Sequence, residues 1–139
     1  MIGPFLVAWV ADQPDIVGEI AARFRPQEEA VTGTTFPYVT YFVVSDNTGM
    51  TLGGSSGLAQ KRVQLDFMAK SYAEVDRLAL LFKGTKESPR LNGYRGTLGG
   101  VEVKACFVRE RQDLYETSET GDGLGTHRVT MDLEIWHRE

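Results

Sequence analysis

Residues 62–81, RVQLDFMAKSYAEVDRLALL, decide the fold of this chain because their hydrophobic pattern changes period in the middle. From Val63 to Phe67 apolar and polar residues alternate, which is typical of a strand with one buried face. Ser71 and Glu74 then form an S-x-x-E capping box, whose side chains satisfy backbone N–H groups at the start of a helix. The stretch therefore predicts a strand that leads into a helix, and it contains no catalytic chemistry.

The N-terminal region predicts two short helical segments with a break between them. Residues 4–12 begin with a proline, which suits the first turn of a helix, and continue with apolar residues at helical spacing. Pro14 interrupts this helix because proline lacks a backbone N–H and restricts the residue before it. Asp15 can then cap a second short turn.

Three more stretches predict strands. Residues 36–45 are rich in aromatic and β-branched residues, so we expect both faces of this strand to be covered. Residues 101–109 and 128–136 alternate between apolar and polar side chains, as a strand with one buried face does. Two long segments between strands, 46–60 and 112–126, are predicted to be loops, and loops of that length often serve a function.

The resulting fold class is α+β, a four-stranded mainly antiparallel sheet with helices packed on one face and long loops between strands. With 139 residues, of which 42% are hydrophobic and 24% charged, the chain is expected to form one domain over residues 1–139.

Composition also limits the possible functions. The net charge of −4 and the pI of about 5.2 argue against a dedicated nucleic-acid-binding protein, which needs a positive field. The single cysteine, Cys106, lies in an alternating strand pattern and is predicted to be buried and inert. The sequence predicts no signal peptide and no membrane segment, because the apolar N-terminal stretch is too short to span a bilayer.

The search for catalytic, cofactor or metal sites finds none. His127 and His137 bracket one predicted strand, roughly 33 Å apart if it is straight, so they cannot share an ion and are expected at the surface. The glycine-rich residues 121–125 precede a strand, whereas a phosphate-binding loop precedes a helix. Asp132 and Glu134 share one strand face, where solvent or a partner is the expected neighbour.

One acidic segment stays open to two interpretations. Asp113, Glu116, Glu119 and Asp122 bring four acids together with no histidine or lysine among them. They form either a solvated loop held open by its own repulsion or a negative surface that repels DNA phosphates or meets a basic partner.

Four motifs, in order, resemble the tail-completion or tail-terminator-like proteins of long-tailed bacteriophages and prophages. They are Phe36-Pro-Tyr-Val-Thr-Tyr, the segment from Val63 to Val75 (VQLDFMAKSYAEV), Arg111-Gln-Asp-Leu-Tyr-Glu, and Asp132-Leu-Glu-Ile-Trp-His. The resemblance covers nearly the whole chain from Arg23 onward. It leaves open whether the source is a phage, a prophage or a gene transfer agent.

The resemblance implies a structural virion protein without catalytic residues or cofactors. Such a subunit forms a ring, commonly of six copies, at the neck, where it ends the tail tube and lets the head connector join. DNA passes through the ring without sequence-specific binding. The implied partners are further copies, the tail tube protein and the head connector proteins, and the implied location is the virion after assembly in the host cytoplasm.

A ring subunit needs contacts between different patches of neighbouring copies. The sequence offers the second face of the 36–45 strand and the two long loops, and the expected assembly surface comprises Val39, Tyr41, Val43, Met50, Leu52, Leu58, Asp113, Tyr115, Glu116, Glu119 and Asp122. Two alternatives remain: a small-molecule-binding or enzymatic α+β domain with a pocket between sheet and helices, and another neck or tail-tube component.

Overall fold

The computed structural model describes residues 2–20, 23–26, 36–116 and 125–138. The described part contains a six-stranded curled sheet with three short helices, so the prediction of a four-stranded sheet is wrong. The strand order is β1-β2-β3-β6-β5-β4, and every neighbouring pair is antiparallel except β1 with β2. The helices are α1 (Gly3–Ala11), α2 (Pro14–Ile20) and α3 (Tyr72–Lys83), and the strands are β1 (Phe24–Pro26), β2 (Tyr38–Thr51), β3 (Gly54–Ala69), β4 (Gly96–Leu98), β5 (Val101–Glu116) and β6 (Thr126–Arg138).

The largest difference from the sequence prediction is the segment 46–60, which is a β-hairpin and not a loop. Residues on either side of Leu52 and Gly53 pair with one another, from Thr51 with Gly54 down the ladder. The first part of the 112–126 segment likewise continues β5 as far as Glu116. In the hairpin, glycine, serine and threonine weaken the alternation that a pattern search needs, yet its backbone pairs in a ladder with two irregularities.

The two additional strands are too short to be recognised from the sequence. Both β1 and β4 comprise three residues, and each pairs with part of a longer strand that the sequence does predict. Because β1 and β4 are short, each covers only part of the outer side of its neighbour, β2 or β5.

One face of the sheet forms the core against the three helices. Val63, Leu65 and Phe67 of β3 lie on this face and are completely buried. The alternating residues of β6 from Val129 to Ile135 are buried beside them. The alternation read from the sequence is therefore confirmed for both central strands, and the opposite face carries no helix.

The start of α3 follows the capping pattern. The Ser71 hydroxyl accepts a hydrogen bond of 3.1 Å from the Glu74 backbone N–H, and the helix ends at Gly84, whose φ of 86° suits glycine. The broken N-terminal helix is also confirmed, because α1 ends at Ala11 and α2 begins at Pro14.

Phe82 ties α3 to its surroundings. Its ring lies 4.9 Å from that of Phe67, 5.6 Å from that of Trp9 and 6.0 Å from that of Phe24, measured between centroids. One side chain thus joins α1, α3, β1 and β3 in the same aromatic cluster.

Replacing Phe82 with alanine is expected to lower the free energy of unfolding by about 3 to 5 kcal/mol, because it leaves a cavity where these elements meet. Leu80→Ala on the exposed side of α3 is the matched control, with an expected loss below about 1 kcal/mol. Urea unfolding followed by circular dichroism measures both. Equal losses would contradict this description of the core.

Gly99, in the turn between β4 and β5, lies against the first turn of α1. A Cβ atom placed there would lie 2.4 Å from the Pro4 carbonyl oxygen. Gly100 next to it also has a positive φ, yet a Cβ there would meet nothing within 4 Å. A side chain at either glycine would strain the backbone, but only one at Gly99 would also collide with α1. Comparing the two positions therefore isolates the effect of the contact with α1.

Gly99→Ala is expected to destabilise the fold by at least about 1 kcal/mol more than Gly100→Ala, because only the first change pushes α1 away from the turn. Thermal and urea unfolding of the two variants give the comparison. An equal loss at both positions would show that α1 does not rest on this turn.

Candidate assembly surface

The outer side of β2 is covered along its first part only. β1 pairs with residues 39–41, and the Val39 N–H donates to the Arg23 carbonyl just before β1 begins. No strand among the described residues pairs with the outer side of β2 from residue 42 onward. We call residues 42–48 the open β2 segment.

The outer side of β5 is covered in the opposite half. β4 pairs with residues 101–103, the Gly93 N–H donates to the Cys106 carbonyl, and the Val108 N–H donates to the Asn92 side chain. Beyond that point no described strand lies along β5, and we call residues 109–115 the open β5 segment. An unpaired strand edge is a template for pairing with another chain.

Both open segments carry exposed apolar side chains. In the open β2 segment these are Phe42, Val43 and Val44, with 47%, 38% and 45% of their surfaces exposed. In the open β5 segment they are Leu114 and Tyr115, with 42% and 55% exposed. Apolar side chains grouped along an unpaired edge are typical of an interaction surface.

The ends of β2 and β3 project beyond the neighbouring strand as a hairpin arm, residues 49–57. The β3–β6 ladder ends with Leu58 opposite Arg138, and in the arm Met50 pairs with Ser55 and Thr51 with Gly54. Leu52 at its tip is completely exposed. An apolar side chain at the end of such an arm is suited to contact with another molecule.

The central part of the helix-free face is polar and carries three ion pairs between described residues. Arg62 lies 3.3 Å from Asp132, Arg109 lies 3.0 Å from Glu134, and Arg128 lies 3.0 Å from Asp66. The predicted neighbours of Asp132 and Glu134 were solvent or a partner, and the structure gives each an arginine of the same sheet. These acids are therefore held in ion pairs and are not arranged as a general acid and base.

A shallow cavity of about 140 Å³ lies on this same face, and its lining residues are Gln64, Glu110, Gln112, Thr130 and Asp132. Ligand pockets are usually larger and mostly apolar. The cavity lacks apolar walls, so it does not resemble a small-molecule site.

In the described part of the chain, the cysteine and one of the two histidines are buried. Cys106 is buried as predicted, and burial raises the pKa of its thiol to about 12. His137 is buried, which corrects the expectation of two surface histidines, because it faces the helix side of β6. Within residues 2–20, 23–26, 36–116 and 125–138, no group of three His, Cys, Asp or Glu residues is placed to hold a metal ion.

Three of the residues expected on the assembly surface lie on the core side of β2. Val39 is completely buried, and Tyr41 is half-buried with its ring stacked 5.2 Å from that of Phe24. Val43 shares this side but is partly exposed, because β1 ends before it. The side of β2 that carries Val39, Tyr41 and Val43 faces the helices, and Val43 is exposed together with Phe42 and Val44.

The remaining expected residues divide between the hairpin and β5. Met50 pairs with Ser55 in the arm, Leu52 is at its tip, and Leu58 lies where the arm leaves the sheet. Asp113, Tyr115 and Glu116 belong to β5, and Glu116 ends it opposite Thr126. Glu119 and Asp122 lie outside the described residues.

Asp113 is part of a network that joins β5 to α3. It accepts hydrogen bonds from Arg111 at 2.8 Å and from the Tyr72 hydroxyl at 2.8 Å, and both lower the pKa of its carboxyl group. Arg111 also contacts Asp76 at 2.6 Å. Asp113 is thus partly engaged within its own chain and is not a free negative charge.

The structure adds Phe42, Val44 and Leu114 to the candidate surface. The sequence contains no signal for them, because an apolar residue on an edge strand looks the same as one in the core. Phe42 and Leu114 are exposed because they lie on the helix-free face, near edges that β1 and β4 cover only in part.

No model of a known protein family matches the chain, and neither does any curated protein. Among solved structures, the chain is similar to a chain of the virion of a native gene transfer agent particle, with a TM-score of 0.60 and 10% sequence identity. The similarity covers 94% of this chain and 90% of that chain. At this identity the similarity shows that the two chains share a fold. In the described part of this chain, no helix is long and apolar enough to cross a membrane.

Cys106 in the native protein is expected to resist a thiol-specific reagent such as DTNB at pH 8, because its thiol is buried and its pKa is about 12. In guanidinium chloride the same thiol is expected to react fully within minutes. Absorbance at the released chromophore measures both states. Rapid stoichiometric labelling of the native protein would show that the region around β5 is open.

Proposed function

We propose that this chain is a non-enzymatic structural subunit of a phage-like virion, and that it forms a ring at the junction of head and tail. The observation that carries the proposal is the pair of open, apolar edge segments, on β2 and on β5, in a fold shared with a chain of a gene transfer agent virion. The resemblance of four sequence motifs to tail-completion proteins supports the same assignment.

The two open segments differ from one another, and this favours a ring. When one patch binds a different patch on the next copy, the contact repeats and closes into a ring if the rotation allows it. Two identical patches would instead give a two-fold dimer. A subunit with one open segment at each end of its sheet has the arrangement that a repeating contact requires.

The enzymatic or small-molecule-binding alternative has less support. The cavity on the helix-free face is small and polar, and the acids near it are paired with arginines. Another neck or tail-tube component remains the closest competing assignment, since it would share the same assembly logic.

In the proposed role, the ring has six copies, ends the tail tube, and presents a docking surface for the head connector proteins. DNA passes through it without sequence-specific contacts, which agrees with the net charge of −4. Assembly takes place in the host cytoplasm, and the finished ring is part of the virion neck. The hairpin arm with Leu52 is available for contact with one of these partners.

The purified chain is expected to form rings at micromolar concentration, alone or when tail tubes of the same particle are added, because pairing of its open edges with another copy buries their exposed apolar side chains. Multi-angle light scattering and negative-stain electron microscopy measure the copy number and the location of the rings. Heads without tails serve as the control for nonspecific adsorption.

Rings at one end of the tube would support the terminating role, and free rings that bind no tube would favour a different neck component. A protein that stays monomeric across salt concentrations, with and without tubes, would contradict the proposal.

A further inference from the structure

Resting on the proposed ring, we propose a specific contact between its copies: the open β2 segment of one copy pairs as an antiparallel strand with the open β5 segment of the next. The occupant of each open edge is therefore a second copy of this chain. The sheet would continue from copy to copy around the ring.

Strand direction favours this contact. Between β2 and β5 lie three antiparallel steps, through β3 and β6, so β2 and β5 run in opposite directions. Rotating a copy about an axis along the strands preserves those directions. The β2 of one copy therefore meets the β5 of the next in antiparallel orientation, and alternation continues across every junction.

The two open segments lie in opposite halves of the sheet, so pairing them requires a stagger along the strands. Gln112, in the middle of the open β5 segment, is level with Thr40 of β2 and Asp66 of β3. Ser45, in the middle of the open β2 segment, is level with Arg62 of β3. Measured along β3, the stagger is four residues, because 66 − 62 = 4.

This stagger is the size that closure of a sheet needs. Four residues correspond to roughly 14 Å along the strands, and four strands occupy roughly 19 Å across them. The ratio of these two lengths gives a strand tilt of roughly 35°. This tilt lies at the lower end of the range of about 35 to 45° found in closed barrels. The ratio does not depend on the number of copies. An even stagger also keeps the helix-bearing faces of neighbouring copies on the same side.

The side chains that meet at this register are complementary. With Ser45 opposite Gln112, Asp46 faces Arg111, and both side chains lie on the helix side of the sheet. Beyond the irregularity at Val44, Phe42 faces Leu114 on the helix-free side. Within its own chain Asp46 lies 3.2 Å from Lys61, and Arg111 lies 2.6 Å from Asp76, so contact between Asp46 and Arg111 would join two existing ion pairs into one network. The network and the apolar pair would both stabilise cross-strand pairing.

The test is a disulfide scan across the junction. Because the native Cys106 is buried, it is not expected to form cross-links between copies. Two matched mixtures combine Ser45→Cys with Gln112→Cys, and Asn47→Cys with Glu110→Cys. Two mismatched mixtures, S45C with E110C and N47C with Q112C, use the same four proteins. Disulfides require Cα atoms about 4.4 to 6.8 Å apart, so matched mixtures are expected to give about tenfold more cross-linked heterodimer after mild oxidation.

A single chain that carries both S45C and Q112C is expected to give a ladder of covalent species that ends at the copy number of the ring. The matched control is a chain with Val7→Cys and Leu80→Cys, two exposed positions on the helices, which is expected to give no such ladder. Circular dichroism confirms that each variant is folded before oxidation.

The outcomes separate this contact from the proposed function. Rings that form without matched cross-links, or cross-links of S45C with itself, would overturn the β2–β5 junction and leave the ring in place. Absence of any oligomer, with tail tubes present, would overturn the proposed function. Matched cross-links together with the ladder would support both.

Discussion

Among the described residues, no strand pairs with the outer side of β2 beyond β1 or of β5 beyond β4, and the proposed assembly depends on these open backbone groups. Each N–H and C=O group of a strand needs a partner, and a buried group left without one is costly. β1 and β4 satisfy only part of each edge strand, and apolar side chains such as Phe42 and Leu114 lie along the rest. The exposed edge groups can bind water in the isolated subunit, and the same groups are a template for pairing with another strand.

The core explains why the edges can be left open without loss of the fold. Phe82 gathers rings from α1, β1 and β3 around α3, and the alternating residues of β3 and β6 are buried against the helices. The stability of the subunit therefore comes from the centre of the sheet, and its outer strands are available for contacts. This division also fits a fold shared at 10% identity, because burial pattern is retained more readily than residue identity.

The sequence predicts the helices and strands with a strong hydrophobic period. It misses the strands that are defined only by backbone pairing with a neighbouring strand. Ser71 and the alternation from Val63 to Phe67 carry local physical signals, and both are confirmed. The hairpin over 46–60 has no apolar face, so only its backbone pairing reveals it. Val39 is apolar in the same way as Phe42, and burial separates them because Val39 faces the helices whereas Phe42 lies on the opposite face of the sheet. Of the residues expected on the assembly surface of β2, Val39 is buried and Val43 is partly exposed, and their role in assembly stays a prediction.

Hydrogen exchange on the assembled protein tests the central claim most directly. In residues 42–48 and 109–115, the backbone amides that point away from β3 and β6 are expected to exchange rapidly in the dilute subunit and to become protected together on assembly. Amides on the exposed sides of α1 and α3 should keep their exchange rates. Protection confined to the helices, with both open segments still exchanging rapidly in the assembly, would contradict the account.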